Sequence, residues 1–419
     1  MRMLCILVAM LAIGWHLHAL KQEETKLVFA VHEHDLQAAL SDVYVTPPDD
    51  SLAMRSPAIC FGVADLKYDH GVLKILEGGT GEYAYFDDNE VLINNKLYRL
   101  AEPYWGIVWR LLATFKRPLW FVHSEQGFAN ALAIETFHAC GGRMVDSLEA
   151  LEAHPAFRKA EQEHPRLPGA LEEAAGIIVC RRPRQRDNSL KTFQARHPDF
   201  VVVSLETGQL FSDKEATFNL LSAAGQRHLL PDFAIYDSAY TPELAEEIRQ
   251  RFHDCSYLVI KPTTESMARG VNMLACEDVP KKLAAILNYE RTRRRKRLIA
   301  DGTQPINSKI SPRFMVNAFC PSQPIFYHGR PYDPTMRVMF VMWHNQGTIT
   351  VNILGGCWKI AGAPLDDPNA HLHAKHITDP VAYGPVLPLF LVEAEDIAGV
   401  KALLAPALAA AYKTLLLTA

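Results

Sequence analysis

The segment YLVIKPTTESMARGVNML, residues 257–274, restricts the possible folds of this chain more than any other stretch. An apolar run ends at Lys261, a polar loop with Thr263 and Ser266 follows, and Gly270 leads back into a second apolar run. This pattern predicts two strands that deliver a lysine and a polar loop to one end of a sheet. The glycine allows close backbone approach to a ligand, and loop N–H groups beside a lysine suit phosphate. The segment has neither a Walker A pattern nor a Rossmann fingerprint, and an ordinary polar hairpin loop is the alternative.

The elements around this segment follow a definite order. DKEATFNLLSAAG, residues 213–225, predicts a helix with Asp213 as its N-cap and Lys214 at its start. After the lysine strand come a further helix, the run RFMVNAF at 313–319, and the run TMRVMFVMW, which carries Arg337. The apolar runs in this half are typical of an antiparallel sheet.

This order of motifs resembles the ATP-grasp superfamily. The resemblance implies two sheets that close on ATP, with the two lysines and the glycine loop on the phosphates. The segment around RFMVNAF would meet adenine through its backbone, and Arg337 would face the γ-phosphate or the developing acyl phosphate. The ATP-binding residues implied in this way are Lys214, Lys261, Thr263, Ser266, Gly270, Val316, Asn317, Ala318 and Phe319.

The hairpin VADLKYDHGVLKILEGG, residues 63–79, carries two acids that the resemblance interprets as metal ligands. ATP-grasp enzymes hold Mg²⁺ (or Mn²⁺) with carboxylates and usually an asparagine, commonly as an E-x-N late in the chain, and no E-x-N follows Arg337 here. In the circularly permuted ATP-grasp ligases, exemplified by glutathionylspermidine synthetase, these residues come first, on a hairpin. Asp65 and Glu77 resemble that arrangement and are the implied metal ligands.

This sequence departs from the permuted pattern at one position. Gly79 stands where that pattern has its asparagine, so water, a backbone carbonyl or Glu82 would have to replace the missing oxygen. Lys359, in GGCWKIAG, resembles the basic residue that ends such domains. The resemblance therefore implies Arg337 and Lys359 as the catalytic residues.

The length of 419 residues and a hydrophobic content of 49% allow two or three globular domains. Alternation of strands and helices between 118 and 206 predicts an α/β core. We therefore expect an α/β (α+β) fold, namely ATP-grasp with permuted strand order. An N-terminal α/β pre-grasp region would span 26–206 and include the hairpin at 60–80, and the C-terminal antiparallel jaws with a terminal helix would span 207–419.

The amino terminus, residues 1–20, reads as a possible signal peptide or anchor, with a buried first strand or helix as the alternative. It is the one expected membrane contact. The eight cysteines are scattered without a C-x-x-C pair, which predicts reduced thiols and cytosolic chemistry. Because a cleaved signal would conflict with ATP use, the compartment is left open.

The net charge of −4 gives no overall attraction to nucleic acid. The basic run at 291–297 is interpreted as a solvated helix face, with an RNA or acidic partner as the alternative. His371, His373 and His376 are interpreted as part of a polar loop, with a zinc site or a substrate-pocket lining as alternatives.

These features predict an ATP-dependent carboxylate–amine (or thiol) ligase that acts through an acyl phosphate. Its partners would be small-molecule or peptide carboxylates and amines, and its cofactors ATP and Mg²⁺ (or Mn²⁺). The alternatives are a catalytically impaired ATP-binding protein, because of Gly79, and a phosphotransferase on the same fold. The sequence does not identify the carboxylate, the amine or the oligomeric state.

Overall fold

The structure is a computed structural model, and it describes the following residues: 42–80, 90–93, 96–99, 101–123, 133–164, 167–180, 189–208, 211, 213–265, 269–288, 304–377, 389–392 and 394–418. Four features of the sequence lie outside the described residues: the possible signal or anchor at 1–20, Glu82, Ser266 and the basic run at 291–297.

The described chain forms a mixed α/β fold with several sheets. Its strands are β1 (Tyr44–Val45), β2 (Ala58–Asp69), β3 (Val72–Thr80), β4 (Glu90–Ile93), β5 (Lys96–Arg99), β6 (Leu119–Val122), β7 (Arg143–Val145), β8 (Gly176–Cys180), β9 (Phe200–Val202), β10 (Phe233–Asp237), β11 (Tyr257–Pro262), β12 (Asn272–Ala275), β13 (Arg313–Ala318), β14 (Ile325–Tyr327), β15 (Arg330–Tyr332), β16 (Thr335–Asn345), β17 (Thr348–Lys359) and β18 (Leu389–Leu391). Its α-helices are α1 (Asp50–Ala53), α2 (Ala101–Ala113), α3 (Ile134–Ala139), α4 (Leu148–Ala153), α5 (Pro155–Glu163), α6 (Ser189–Arg196), α7 (Lys214–Ala223), α8 (Pro242–Arg251), α9 (Val279–Leu287), α10 (Leu372–His376) and α11 (Ala394–Thr418).

A parallel sheet with the strand order β7-β6-β8-β9 confirms the predicted α/β core. β6, β8 and β9 are apolar and buried because both faces of the sheet are covered there, whereas the edge strand β7 is largely exposed. On one face, Trp105 and Trp109 of α2 stack at 4.9 Å between ring centroids and pack against Phe121 of β6. On the other face, Trp120 packs against Phe157 of α5.

A second sheet, which we call the lysine sheet, is antiparallel and has the order β10-β13-β11-β12. One face is covered by α8 and α9, whose apolar residues form a core with β11 and β13. Because side chains alternate along a strand, Lys261 and Met315, which are paired across β11 and β13, point to the opposite face. That face turns toward the third sheet, since Lys261 reaches a carbonyl of β3.

The third sheet, which we call the hairpin sheet, has the order β1-β17-β16-β2-β3, with β18 paired to β17. The hairpin near the start of the chain therefore lies beside strands from its last quarter. Period-two alternation along β2 sends Ile59 and Phe61 toward the parallel sheet and Cys60 and Ala64 toward α7 and α11. The turn between β2 and β3 is the two-residue step His70–Gly71, with φ of 44° and 90°, which is the geometry favoured for a tight hairpin.

Several elements differ from the sequence expectation. The charged segment 149–174 has a helical pattern in the sequence but does not form one helix, because Pro155 starts a new helix, α5, directly after α4. The helix expected from Val279 through the basic run is described only to Leu287. The apolar runs GTITVNILGG and WKIAG do not form separate strands, because β17 continues from the first run into the second and ends at Lys359.

Helix α11 is long and apolar enough to cross a membrane by length and composition alone, over Glu395–Thr418, which adds a candidate beyond the amino-terminal run. Half of that stretch is buried within the protein. Leu404, Leu408 and Tyr412 pack into the core that α11 shares with α7 and the hairpin sheet. In this structure α11 therefore serves as a core helix.

Candidate functional site

A row of charged side chains crosses the hairpin sheet. Arg337 of β16 pairs directly with Asp65 of β2, and Asp65 pairs directly with Glu77 of β3. The hairpin therefore places the two acids opposite each other. Lys359 joins the row from β17, where it lies two residues beyond Cys357, the partner of Arg337.

Asp65 is held by two cations at once. Arg337 Nε donates to Asp65 Oδ1 at 2.7 Å, and Arg337 Nη2 donates to Oδ2 at 2.8 Å. Lys359 Nζ donates to the same Oδ2 at 2.6 Å, and the Asp65 side chain is only 7% exposed. Burial alone would raise the pKa of Asp65, but the attraction of Arg337 and Lys359 outweighs it and holds that pKa well below its usual range.

An irregularity in the hairpin brings in a lysine from the facing sheet. Asp65 pairs with Glu77 and Leu66 pairs with Ile75, so Leu76 is an extra residue of β3. Its carbonyl accepts a hydrogen bond of 2.8 Å from Lys261 Nζ. Burial, together with repulsion from nearby Lys214, lowers the pKa of Lys261 to about 8, although Glu77 opposes that shift.

The start of α7 places the remaining cation. The side chain of Asp213 accepts hydrogen bonds from the first turn, as the sequence predicted for an N-cap. The backbone N–H of Lys214 donates to Thr263 O at 2.9 Å, which ties the helix start to the loop after β11. Lys214 Nζ donates to Glu265 O and lies 3.4 Å from Glu77 Oε2.

Four cations from four elements thus lie around two carboxylates: three of them contact a carboxylate, and Lys261 bonds to the carbonyl of Leu76, next to Glu77. The cations are Arg337, Lys359, Lys214 and Lys261, and the carboxylates are Asp65 and Glu77. The local excess of positive charge stands out in a chain with a net charge of −4. A buried cationic group of this kind suits a polyanion such as a nucleotide triphosphate.

The loop residues expected on phosphate have partners elsewhere. The N–H of Thr263 donates to Arg313 O and Ser311 Oγ, and its hydroxyl donates to Arg313 O at 3.3 Å. The N–H of Gly270 donates to Gln304 Oε1 at 3.0 Å. Gly270 has φ +70°, and a Cβ there would lie 3.1 Å from Pro262. Its glycine is thus explained by backbone conformation and packing.

The segment expected to meet adenine through its backbone lies largely inside the lysine sheet. Val316 and Asn317 are flanked by β10 on one side and β11 on the other, so their backbone groups belong to the sheet. The N–H of Ala318 donates to Asp232 O, and the N–H of Phe319 donates to Tyr257 O. None of these four N–H groups remains for a ligand in this arrangement.

The side chain of Asn317 offers a contact that the sequence did not suggest. Asn317 lies two residues beyond Met315, so it points to the same face of the lysine sheet as Lys261. Its side chain is buried, and its Oδ1 has no hydrogen-bond partner among the described residues. A buried acceptor without a donor is costly, which suggests that a ligand supplies one.

The side-chain oxygens at this site do not fit a protein-held Mg²⁺ or Mn²⁺ ion. Both oxygens of Asp65 already accept hydrogen bonds from cations, whereas these ions require anionic oxygens that are free to coordinate. Gly79 supplies no side-chain oxygen, and a Cβ there would lie 2.9 Å from Val63 Cγ2, so an asparagine is sterically opposed. Nowhere in the described ranges do three His, Cys, Asp or Glu side chains group closely enough to hold a metal ion.

A buried ion cluster nearby escaped the sequence reasoning. Lys67 Nζ lies 2.9 Å from Asp333 Oδ1, and His376 Nδ1 lies 2.7 Å from Asp333 Oδ2. The His376 ring packs at 4.6 Å from the ring of Phe319. The available signal was that Lys67 lies two residues from Asp65, on the same face of β2. His376, whose side chain is 14% exposed, thus belongs to this ion cluster, whereas His371 caps the start of α10.

Comparison with known proteins yields only distant likenesses. No protein-family model matches the sequence, and no curated protein matches it. A glutathione synthetase-like effector (GSS30) from Globodera pallida is similar over 79% of each chain, with 10% identity and a TM-score of 0.37. A RimK domain protein described as ATP-grasp, from Sphaerobacter thermophilus, is similar over 57% of this chain and 91% of its own, with 14% identity and a TM-score of 0.29.

D-alanyl-alanine synthetase A from Vibrio cholerae is similar over 39% of this chain, with 11% identity and a TM-score of 0.24. The matched part spans 44% of that enzyme's chain, which is less than half of its length. At TM-scores of 0.24 to 0.37, the likeness alone assigns no function, and a functional conclusion has to come from the charged row and its contacts.

Proposed function

We propose that this protein binds ATP between the lysine sheet and the hairpin sheet and acts as an ATP-dependent ligase. The observation that carries the proposal is that four cations, two of them buried and two about 15% exposed, lie around only two carboxylates. Two of these cations, Lys214 and Lys261, come from α7 and the lysine sheet, and two, Arg337 and Lys359, come from the hairpin sheet. A triphosphate placed between them would be neutralised from both sides.

The proposed reaction joins a carboxylate to an amine or thiol. A carboxylate oxygen of the substrate attacks the γ-phosphorus, and ADP leaves with the bridging oxygen. The amine or thiol then attacks the acyl carbon, gives up its proton, and inorganic phosphate leaves. Negative charge moves between phosphate and carboxylate throughout, and the cations stabilise it without a protein nucleophile.

The four cations have different places in this scheme. Lys261 and Lys214 would bind the phosphates, since both lie where the two sheets meet. Arg337 and Lys359 would bind the γ-phosphate or the substrate carboxylate, because they already hold the carboxylate of Asp65. Asn317 Oδ1 would accept a hydrogen bond from the amino group of adenine. The scheme contains no step through Mg²⁺ or Mn²⁺, because both oxygens of Asp65 are engaged by Arg337 and Lys359 and Gly79 supplies no side-chain oxygen.

The same site also favours a second candidate function, namely a nucleotide-binding protein without ligase turnover. The specific observation is that Asp65 is fully engaged by Arg337 and Lys359 and that Gly79 adds no ligand. In this case ATP would bind, but no acyl phosphate would form. A phosphotransferase on the same fold would instead yield a phosphorylated product without an amide.

The proposed substrates are small-molecule or peptide carboxylates and amines, and no nucleic acid is proposed as a partner. The proposed compartment is a reducing one with ATP available. Three of the cysteines near or in the lysine sheet, Cys255, Cys276 and Cys320, are thiols, which is compatible with such a compartment. A membrane contact is proposed only through residues 1–20.

The test combines ATP binding by calorimetry with ADP formation in the presence of pooled amino acids, peptides and amines. Lys261→Met keeps the apolar stem but removes the charge, so we expect loss of most ATP affinity and of ADP formation. Lys159→Ala, on the exposed face of α5, is the control and should resemble the wild type. ADP and an amide product together support a ligase, and retained ATP binding without any ADP supports the second candidate. Absence of ATP binding in the wild type would overturn both.

A further inference from the structure

We propose that Asp65 is a resident counter-anion, which occupies an anion-binding position built by Arg337 and Lys359, and that an incoming phosphate or carboxylate competes with it for these two cations. The inference concerns the same site as the proposed ligase and rests on that function for its biological meaning. It assigns Asp65 a role opposite to that of a metal ligand, because it makes the aspartate a competitor of the ligand.

The geometry of the contacts is that of an anion in a binding site. Arg337 presents two donors to the two oxygens of Asp65, at 2.7 and 2.8 Å, which is the bidentate arrangement that arginine uses for carboxylates and phosphates. Lys359 adds a third donor at 2.6 Å on Oδ2. These side chains lie next to each other on three adjacent strands, so the sheet itself fixes the position.

The balance of charge separates this arrangement from an ordinary buried ion pair. One carboxylate faces two cations at hydrogen-bond distance, so one positive charge is left over. Glu77, the next acid in the row, lies beside Lys214 instead. The side chains of Arg337 and Lys359 are about 15% exposed, so the excess charge has little water to solvate it. The position therefore favours an additional anion.

The metal-ligand interpretation makes the opposite prediction for the same substitution. If Asp65 coordinated Mg²⁺, removing its charge would weaken the binding of a metal-bound nucleotide. If Asp65 competes with the ligand, removing its charge while keeping its size would strengthen the binding of a metal-free polyanion. Asp65→Asn distinguishes the two by the direction of the change.

The experiment measures the binding of inorganic tripolyphosphate to the full chain by calorimetry in EDTA. We expect Asp65→Asn to bind at least about tenfold more tightly than the wild type, since two cations with little exposure to water lose their anion. Glu77→Gln removes a charge from the same row and controls for a general electrostatic effect, and its gain should be clearly smaller. Asp65→Asn combined with Lys359→Met should return the affinity to about the wild-type level. A gain in Glu77→Gln equal to that in Asp65→Asn, or no gain in Asp65→Asn, overturns the proposal.

Thermal unfolding gives a second measurement, because Asp65→Asn leaves unpaired cations and is expected to lower the melting temperature. Tripolyphosphate should then raise the melting temperature of this variant by more than that of the wild type. If Asp65→Asn does not fold at all, the Lys359→Met variant tests the proposal. In that variant Asp65 fully neutralises Arg337, so no positive charge is left over. That variant should bind tripolyphosphate at least about fivefold more weakly than the wild type, and an unchanged affinity overturns the proposal.

The counter-anion proposal can fail or succeed independently of the proposed ligase function. ATP binding and ADP formation by the wild type decide the latter, whereas the tripolyphosphate comparison needs neither adenine nor turnover. If the wild type forms ADP but Asp65→Asn gains no affinity for tripolyphosphate, the ligase proposal is supported and the counter-anion proposal is rejected.

Discussion

At the scale of single residues, the site depends on where each charge finds its counter-charge. Asp65 is fully engaged, Lys261 is bonded to a backbone carbonyl, and Asn317 has an acceptor without a donor. Each of these states has a measurable consequence, because each would change when a nucleotide enters.

The first consequence concerns the pH dependence of ATP binding through Lys261. Its pKa is lowered to about 8 in the folded protein, mainly by burial. Below that pH the lysine is charged with or without ligand, whereas above it binding has to be accompanied by proton uptake. We therefore expect ATP affinity to fall as pH rises from about 7.5 to 9.5, by up to about tenfold per pH unit above the pKa.

The check is calorimetry across this range in buffers of different ionisation enthalpy, which reports the proton uptake directly. Lys261→Arg is the control, because its guanidinium stays charged and should give a nearly flat profile. An equally steep decline in Lys261→Arg would show that another group titrates.

The second consequence concerns Asn317, whose Oδ1 is the proposed acceptor for adenine. Asn317→Leu keeps the approximate shape and removes an unsatisfied polar atom, so the free energy of unfolding should stay the same or rise by about 1 kcal/mol. ATP affinity should nevertheless fall about tenfold, as expected for one lost buried hydrogen bond. Tripolyphosphate has no base, so its affinity should be unchanged. Equal losses for both ligands would mean that Asn317 does not contact the base.

At the scale of elements, the strand β3 combines two features that the sequence only partly revealed. Its extra residue, Leu76, frees the carbonyl that Lys261 binds, and Gly78 and Gly79 make room for Phe211 and Val63. The paired glycines after Glu77 are therefore explained by packing, of Gly78 against Phe211 and of Gly79 against Val63 of the adjacent strand β2.

A substitution at Gly79 tests whether packing or metal chemistry governs this strand. Gly79→Asn would restore the oxygen of the permuted ATP-grasp pattern, but its Cβ would lie 2.9 Å from Val63 Cγ2. We expect a loss of about 1–3 kcal/mol in the free energy of unfolding by denaturant titration, as for overpacked cores. We expect no gain in Mg²⁺-dependent ATP affinity, because Asp65 remains paired.

The matched control is Gly71→Asn in the hairpin turn, where a Cβ meets nothing within 4 Å. Its positive φ of 90° should cost only about 1 kcal/mol. A Gly79→Asn variant as stable as the wild type, with tighter Mg²⁺-dependent ATP binding, would instead restore the metal interpretation of the hairpin.

Whether the sequence predicts a contact depends on how far apart the two residues lie along the chain. The opposition of Asp65 and Glu77 was predictable, because a two-residue turn fixes the register of a hairpin. The N-cap at Asp213 was predictable for the same local reason. The pairing of Asp65 with Arg337 joins residues 272 positions apart, and no local pattern encodes which strands become neighbours. The position of Val316 and Asn317 inside a sheet likewise depends on β10, which comes from another part of the chain.

At the scale of the whole molecule, the packing of three sheets determines where the charged row lies. The parallel sheet forms one body of the core, and the hairpin sheet packs against it on one face and against α7 and α11 on the other. The lysine sheet brings Lys261 to the hairpin sheet. The charged row therefore lies where two sheets and the start of α7 meet, and its positive excess is local to a chain that is acidic overall.

This arrangement predicts how ATP binding responds to the removal of divalent metal ions. Metal-free ATP carries more negative charge than its magnesium complex, and the four cations of the site can neutralise it directly. We therefore expect the ATP affinity in EDTA to lie within about threefold of that in excess Mg²⁺, because the docking step does not require an ion held by Asp65 and Glu77. Lys214→Met and Lys261→Met should weaken binding in both conditions alike, which shows that the lysines and not the metal ion carry the affinity. The opposite result would be that ATP binding is lost in EDTA, that Mg²⁺ restores it in the wild type, and that Mg²⁺ fails to restore it in Asp65→Asn. This would show that the hairpin acids coordinate a metal once the nucleotide has displaced Arg337 and Lys359 from Asp65.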